Sequence, residues 1–499
     1  MVIKVSDYVI KCLERTGAKH MFMLPGGGAM HLNDSLGKSE KIEFVCCQNE
    51  QGAAIAAEAY ARVNNEIGLF WNEPFETTEK MFYGCFNIIK INFTNFNSSK
   101  IINMRYMFYG CSSLISLDIL NFDTSNVVNM ELMFCNCYLL SSLDVSNFYT
   151  SNVTNMTGMF KNCFSITQLN LFNFDTKNVI TINYMFYGCS KLKFLDLSRF
   201  DTSKVINMQY TFYNCSSLEK LYISRFDTSN VNNMYGMFGY FKKLTSLNLS
   251  NFDTSNVNNM YGMFAGSSGI KSLDISNFKT NRVNNMAYIF NGCSFLSILN
   301  LSHFNTDLVT NMNNMFSGCS RLKELDISNF NTYKVSNMQK MFTNCKQLSI
   351  LNISHFNTLS VKNMDNIFKG CSSLLSLNLS NFNTVRLESI ISMFDGCSSL
   401  NYLIMPNFSS KIKILSRLFY GCSNLISIDL SNINTSEVSD MSYMFYNCTS
   451  LQSLNLSTFN TSKVENMNNM FNECINLRYL NLNNFDTSLV KDMSFMFNN

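Results

Sequence analysis

The sequence predicts an α/β protein: an elongated solenoid of 26-residue strand–helix coils, preceded by a partial parallel α/β segment. Three observations carry this. A Met-Phe pair or a close variant returns with its Phe at 82, 108, 134, 160, 186, 212, 238, 264, 290, 316, 342, 368, 394, 419, 445, 471 and 497, every step being 26 residues except one of 25. Strict self-similarity at such a period marks stacked repeats, each too small to bury its apolar face alone. Within each repeat a helix-spaced apolar run is followed by a strand-spaced one. The first seventy residues share neither the period nor the composition of the rest.

The repeat reads N-F-[DN]-T-S-x-V-x-N-M-x-x-M-F-x-x-C-x-x-L-x-x-L-[DN]-L-S. Val153, Met156, Met159 and Phe160 stand at i, i+3, i+6 and i+7, the spacing of two helical turns packed on one face. Thr150 and Ser151 precede that run where an N-cap would sit. Leu244, Leu247 and Leu249 then end in a period-two pattern, that of a short strand with one buried face. Parallel stacking at the strand spacing would carry the array over roughly 80 Å. One coil departs from the rule: a residue is missing between Phe408 and Phe419, and Pro406 lies beside the strand, which predicts a kink or bulge there.

Composition narrows the function classes. The 499-residue chain carries a net charge of +3 with only 15% charged residues, and its Lys and Arg form no runs, so the footprint of a nucleic-acid binder is missing. No stretch of eighteen apolar residues predicts a membrane span, and MVIKVSDYVIKCLERTG has charges where a signal peptide would have its apolar core. With its cysteines unpaired as well, the chain as written is expected in the cytoplasm.

The abundant residues form columns. Cys follows the repeat Phe by three positions in most coils, with Phe241 and Ser267 in its place in two. A column puts each thiol beside its own copies, where Cys acts as a small buried hydrophobe, so reduced buried thiols are expected. No Cys-x-x-Cys pair occurs, and His20, His31, His303 and His355 are scattered, so no metal site is assigned. The Met and Phe columns are core. Asp and Asn alternate before the last strand leucine, as at Asp118, Asp144, Asn170 and Asp196. Stacked hard oxygens suit calcium, but without the glycine-rich turn of calcium-binding solenoids they are read as hydrogen bonding along the stack. A ligand-reading face would use the variable positions between the leucines.

The repeats quoted as NFDTSNVNNMYGMF (251–264) and CSSLLSLNLSNFNT (371–384) resemble the BspA-like leucine-rich repeats of bacterial surface proteins. That resemblance spans residues 81–499 and implies an LRR-like fold, and with it adhesion-type contact with a protein or a cell-surface ligand.

Before the repeats, Ser6 to Thr16 reads as a capped amphipathic helix, HMFML and KIEFVCC as strands, PGGGAMHLNDSLG as a loop feeding a helix and NEQGAAIAAEAYARV as an alanine-rich helix. Residues 1–68, through Leu24-Pro25-Gly26-Gly27-Gly28, Glu50-Gln51-Gly52-Ala53-Ala54 and Ala57-Glu58-Ala59-Tyr60-Ala61-Arg62, resemble the start of the pyrimidine-binding domain of thiamine-diphosphate enzymes of the acetolactate-synthase-like group. Residues 69–80 form the junction. By that resemblance Glu50 matches the carboxylate that bonds the cofactor's aminopyrimidine, Pro25, Gly26 and Gly27 match the adjacent loop, thiamine diphosphate is the implied cofactor, and a dimer follows if the segment folds as in its family. The sequence has no Gly-Asp-Gly with a downstream Asn for magnesium and diphosphate, so no catalysis by this chain alone is expected. Two resemblances in one chain imply a gene fusion or a truncated or rearranged reading frame.

Overall fold

The computed structural model describes residues 10, 13–14, 18–23, 36, 38–46, 69–71, 76–91, 93 and 96–498. Three parallel strands, β1 (His20–Met23), β2 (Glu43–Cys46) and β3 (Leu69–Trp71), form a sheet in the order β2-β1-β3. The expected strands thus pair in parallel, and the residues directly after Gly68 supply a third. Ile10, Leu13 and Glu14 are helical, and Ile10, Met21, Leu36 and Ile42 form a buried cluster with Leu13 packed against it. Ser39 Oγ donates to Glu14 Oε1 at 2.7 Å. The glycine-rich loop and the alanine-rich helix of the sequence reading lie outside the described residues.

The chain divides into two compact units, Met1–Val205 with Asn214–Arg225, and Ile206–Tyr213 with Phe226–Asn499. Each contains coils stacked in parallel at the 26-residue register. The coil face predicted to be helical is not: among the described residues none of the coils contains an α-helix. In the first unit Met156, Gly158, Phe160 and Asn162 donate their N–H groups to the carbonyls of Thr181, Asn183, Met185 and Tyr187 on the next coil, at 3.2, 2.9, 3.0 and 2.6 Å. The residues between them, Met159, Lys161 and Cys163, bond back to Met156, Gly158 and Phe160 at 3.3, 3.0 and 3.2 Å. Met338, Lys340, Phe342 and Asn344 do the same in the second unit.

A helix consumes its N–H groups internally, from residue i to i−4, and leaves none for a neighbour. Here successive tight turns hold residues four apart in the left-handed region, with φ of +56° at Gly158, +59° at Asn162, +58° at Lys340 and +59° at Asn344. Such a residue at the third position of a turn redirects the alternate peptides toward the next coil. The apolar residues still point inward: Val153, Met156, Met159 and Phe160 are fully buried. The helical spacing therefore reports burial correctly and backbone conformation wrongly.

On the leucine side the expected parallel strands are present and short. They are β4 (Lys90–Ile91), β5 (Ser116–Leu117), β6 (Ser142–Leu143), β7 (Phe194–Asp196) and β8 (Lys220–Tyr222) in the first unit. The second has β9 (Ser376–Asn378), β10 (Tyr402–Ile404), β11 (Ser453–Asn455) and β12 (Tyr479–Asn481). They pair β4-β5-β6, β7-β8, β9-β10 and β11-β12, each a repeat apart in register, with Leu117, Leu143, Leu195, Leu377 and Leu454 buried. A second parallel ladder of single bridges joins the Asn of V-x-N-M, as in Asn233↔Asn259↔Asn285↔Asn311.

The repeat phenylalanines stack face to face. Phe82, Phe108, Phe134, Phe160 and Phe186 are 5.5 to 5.8 Å apart between ring centroids in the first unit. From Phe212 to Phe497 the second unit keeps spacings of 5.4 to 5.9 Å. The short coil is absorbed without breaking that stack, since Phe394 and Phe419 lie 5.6 Å apart and parallel. Its pairing slips instead: Phe408 bridges Ile433, 25 residues on, and Thr384 Oγ1 bonds Asn407 O, 23 residues on.

Two predictions follow from this geometry. Phe316→Ala, at a fully buried ring stacked on both sides, will lower stability by about 3–5 kcal/mol in denaturant titration. Lys340→Gly will leave stability unchanged or raised, because glycine relieves the left-handed φ; a helical site would lose about 1 kcal/mol for the same change.

Candidate ligand-binding surface

Most polar columns of the repeat are consumed in holding coils together. The Thr of N-F-[DN]-T, read in sequence as a helix cap, is buried and spans two coils. Thr254 Oγ1 donates to Lys279 O at 2.9 Å and accepts Lys279 N–H at 2.7 Å. One hydroxyl thus satisfies both backbone groups of its partner. The Asn of N-F reaches back one coil, as in Asn277 Nδ2 to Phe252 O at 2.7 Å. His303 and His355 occupy the same column, and their Nε2 atoms lie 2.8 and 3.0 Å from the carbonyls of Ile275 and Ile327. Two of the four scattered histidines are therefore substitutes in a structural column.

The Asp and Asn column before the last leucine does not bond along the stack as expected. Asp144, Asn170, Asp196, Asp274 and Asp326 each accept the N–H two residues ahead in their own coil, at 2.9 to 3.1 Å. These Asx turns end the strands and explain their brevity. The serine bonds hold the Asp144 and Asp326 carboxyls below their ordinary range. The same local turn recurs at the Asp or Asn of N-F-[DN]-T, as at Asp253, and at the Asn of V-x-N-M, as at Asn155.

The described cysteines from Cys85 to Cys474 are buried and free of disulfides. From Cys111 to Cys474 each Sγ in the column points to the carbonyl of the Phe one coil and three residues back, as in Cys319 to Phe290 O at 3.2 Å. Ser267 makes the equivalent bond to Phe238 O at 2.6 Å. Burial pushes the Cys293 and Cys371 thiols from their ordinary 9.0 up to about 12. Among the described residues no group of three or more His, Cys, Asp or Glu is placed to hold a metal ion.

What stays exposed is the pair of positions between the leucines and the turn that follows. In the second unit these carry Ile298, Ile350, Leu375, Tyr402 and Ile426, with Ile298 and Ile350 72% and 67% exposed. In the first unit they carry Phe194 and Phe172, with Tyr222 of the Asp/Asn column packed on Phe194, and a groove of about 450 Å³ opens there, lined by Gln168, Asn170, Phe172, Phe194, Asp196 and Arg199. The residues named by the cofactor resemblance, Pro25, Gly26, Gly27 and Glu50, all lie outside the described residues. Sequence reasoning missed the Thr and Asn ladders and the turn face. The Gly or Asn before nearly every column Cys, a residue choice suited to left-handed backbone, was the available signal.

A family model described as Mycoplasma protein of unknown function, DUF285, matches residues 76–195, 183–295, 267–351, 350–412 and 413–499. The chain belongs to the DUF285 family. A second model, the N-terminal TPP-binding domain of thiamine pyrophosphate enzymes, matches residues 3–72 of this DUF285 protein. That segment is 39% identical over 66 residues to acetolactate synthase 2 of Zea mays and 38% identical to acetolactate synthase of Arabidopsis thaliana, covering 13% of this chain and 10% of either enzyme. The chain thus spans about a tenth of the length of the curated relatives it matches. A crystal structure of a leucine-rich repeat protein from Eubacterium ventriosum aligns over 86% of this chain and 90% of that one, at 14% identity and a TM-score of 0.22. Among the described residues no helix is long and apolar enough to cross a membrane.

The thiols yield a pH prediction. A thiol whose folded pKa is raised contributes stability that is complete below its unfolded pKa and lost as pH climbs toward the folded one. Stability will accordingly fall as pH rises from about 9 toward 12, and iodoacetamide will label these cysteines only after unfolding, as read by alkylation mass spectrometry across that range.

Proposed function

We propose that this DUF285 protein is a repeat-based interaction protein whose coils present a ligand-reading surface, built from the positions between the leucines, to a protein or a cell-surface ligand. One observation carries the reading. The Thr, Asn, Cys and Asx columns are spent inside the stack, while the positions between the leucines are exposed, differ from coil to coil and include large apolar side chains. Exposed apolar residues gathered by a scaffold mark interaction sites. Adhesion of the BspA-like type is the biological form this takes.

Thiamine pyrophosphate binding is a second reading, favoured by the family match over residues 3–72 and by the parallel order β2-β1-β3. Glu50 would bond the aminopyrimidine there, beside Pro25, Gly26 and Gly27. The segment corresponds to a tenth of an acetolactate synthase, so the reading is cofactor binding, in a dimer where the family's interface persists, rather than catalysis.

Both readings are testable on the full chain. The double variant Ile350→Asp with Tyr402→Asp will keep the wild-type circular dichroism and lose at least fivefold in binding to intact host cells measured by flow cytometry. Unchanged binding would remove the sheet face as the reading surface. In calorimetric titration with thiamine diphosphate and magnesium, saturable heat abolished by Glu50→Gln is expected from a retained pyrimidine site. Absence of heat from folded protein ends that reading.

A further inference from the structure

The groove of the first unit joins a stacked arginine, exposed rings and polar side chains in one lining. Arg199 lies with its guanidinium carbon 3.6 Å from the centroid of the Phe172 ring, which orients the planar fork, and it has neither an ion pair nor a hydrogen bond among the described residues. An unpaired guanidinium held by stacking is prepared for bidentate binding of a carboxylate. Phe194, whose ring packs against Tyr222 at 5.6 Å and 64°, is 44% exposed in the same groove, and Phe172 is 56% exposed. Asp196 and Asn170 each spend one oxygen on an Asx turn, which leaves the second Asp196 oxygen and the Asn170 amide nitrogen without a partner, as is the Gln168 amide.

We infer that this groove binds a uronic-acid sugar, with Arg199 clasping the sugar carboxylate, Phe172 and Phe194 covering the apolar C–H face of the ring, and Asp196, Asn170 and Gln168 bonding its hydroxyls. The inference rests on the proposed ligand-reading role of the coils and names the ligand class at one place on them. Each part of the lining is used. A phosphate dianion would set two charges against the single guanidinium and be repelled by Asp196 more strongly than a monoanionic carboxylate is. A neutral sugar would leave the guanidinium idle. A carboxylate lacking a hydroxylated ring would leave Asp196, Asn170 and Gln168 unmatched. A volume of about 450 Å³ suits one or two sugar rings.

The test is calorimetric or saturation-transfer NMR titration of the full chain with glucuronate, with glucose, acetate and a glutamate-containing tripeptide as comparisons. Glucuronate is expected to bind at least tenfold more tightly than each of the three. Arg199→Gln, at an exposed position, should reduce its affinity about tenfold with the circular dichroism unchanged, and Phe194→Ala should weaken it as well. Equal binding of glucose, acetate or the tripeptide, or an affinity indifferent to Arg199→Gln, overturns the assignment. Cell binding that persists in Arg199→Gln but fails in the Ile350 and Tyr402 double variant would overturn the uronate site while leaving the broader interaction role standing.

Discussion

Every coil depends on where its alternate backbone N–H groups go. In a closed helix they would bond within the segment, and adjacent coils would meet only through side chains. Turning every second peptide outward, by placing residues such as Gly158 and Lys340 in the left-handed region, gives each coil a row of donors that the next coil's carbonyls satisfy. That arrangement accepts the conformational strain of non-glycine residues at positive φ in exchange for axial bonds. It also brings the repeat phenylalanines within stacking distance, 5.4 to 5.9 Å apart in the second unit.

The side-chain columns serve the same end at points the backbone leaves open. A threonine hydroxyl pairs with both the N–H and the C=O of one residue in the next coil, an asparagine amide reaches back to carbonyls, and a thiol donates weakly to the carbonyl of a buried Phe. Residues of the same chemistry exchange within a column: Ser267 for Cys, and His303 and His355 for Asn. Buried polar groups are costly unless bonded, which is why these columns direct their side-chain polar atoms to backbone groups of neighbouring coils.

The DUF285 array and the thiamine-enzyme segment bring different kinds of architecture into one chain. Three short parallel strands around Ile10, Met21, Leu36 and Ile42 belong to an α/β layer whose strands pair across crossovers, whereas coil strands pair with their own copies 26 residues away. The outer positions of the coils are released from structural duty, so an apolar strip in one unit and an arginine-bearing aromatic groove in the other can differ without disturbing the stack.

The sequence by itself determined the period, the buried columns, the parallel pairing of the leucine strands and the opening strands around His20 and Glu43, because burial and register follow directly from side-chain spacing. It also showed which positions would be exposed. The tertiary structure alone decided that Val153 to Phe160 forms turns rather than helix, since spacings of three and four residues bury the same side chains in either conformation. It alone decided that Asp144 bonds within its own coil, a choice between local and axial partners that composition leaves equal. And it alone brought Phe172, Phe194 and Arg199 into one groove, because their proximity depends on how neighbouring coils place exposed side chains, which no repeat period encodes.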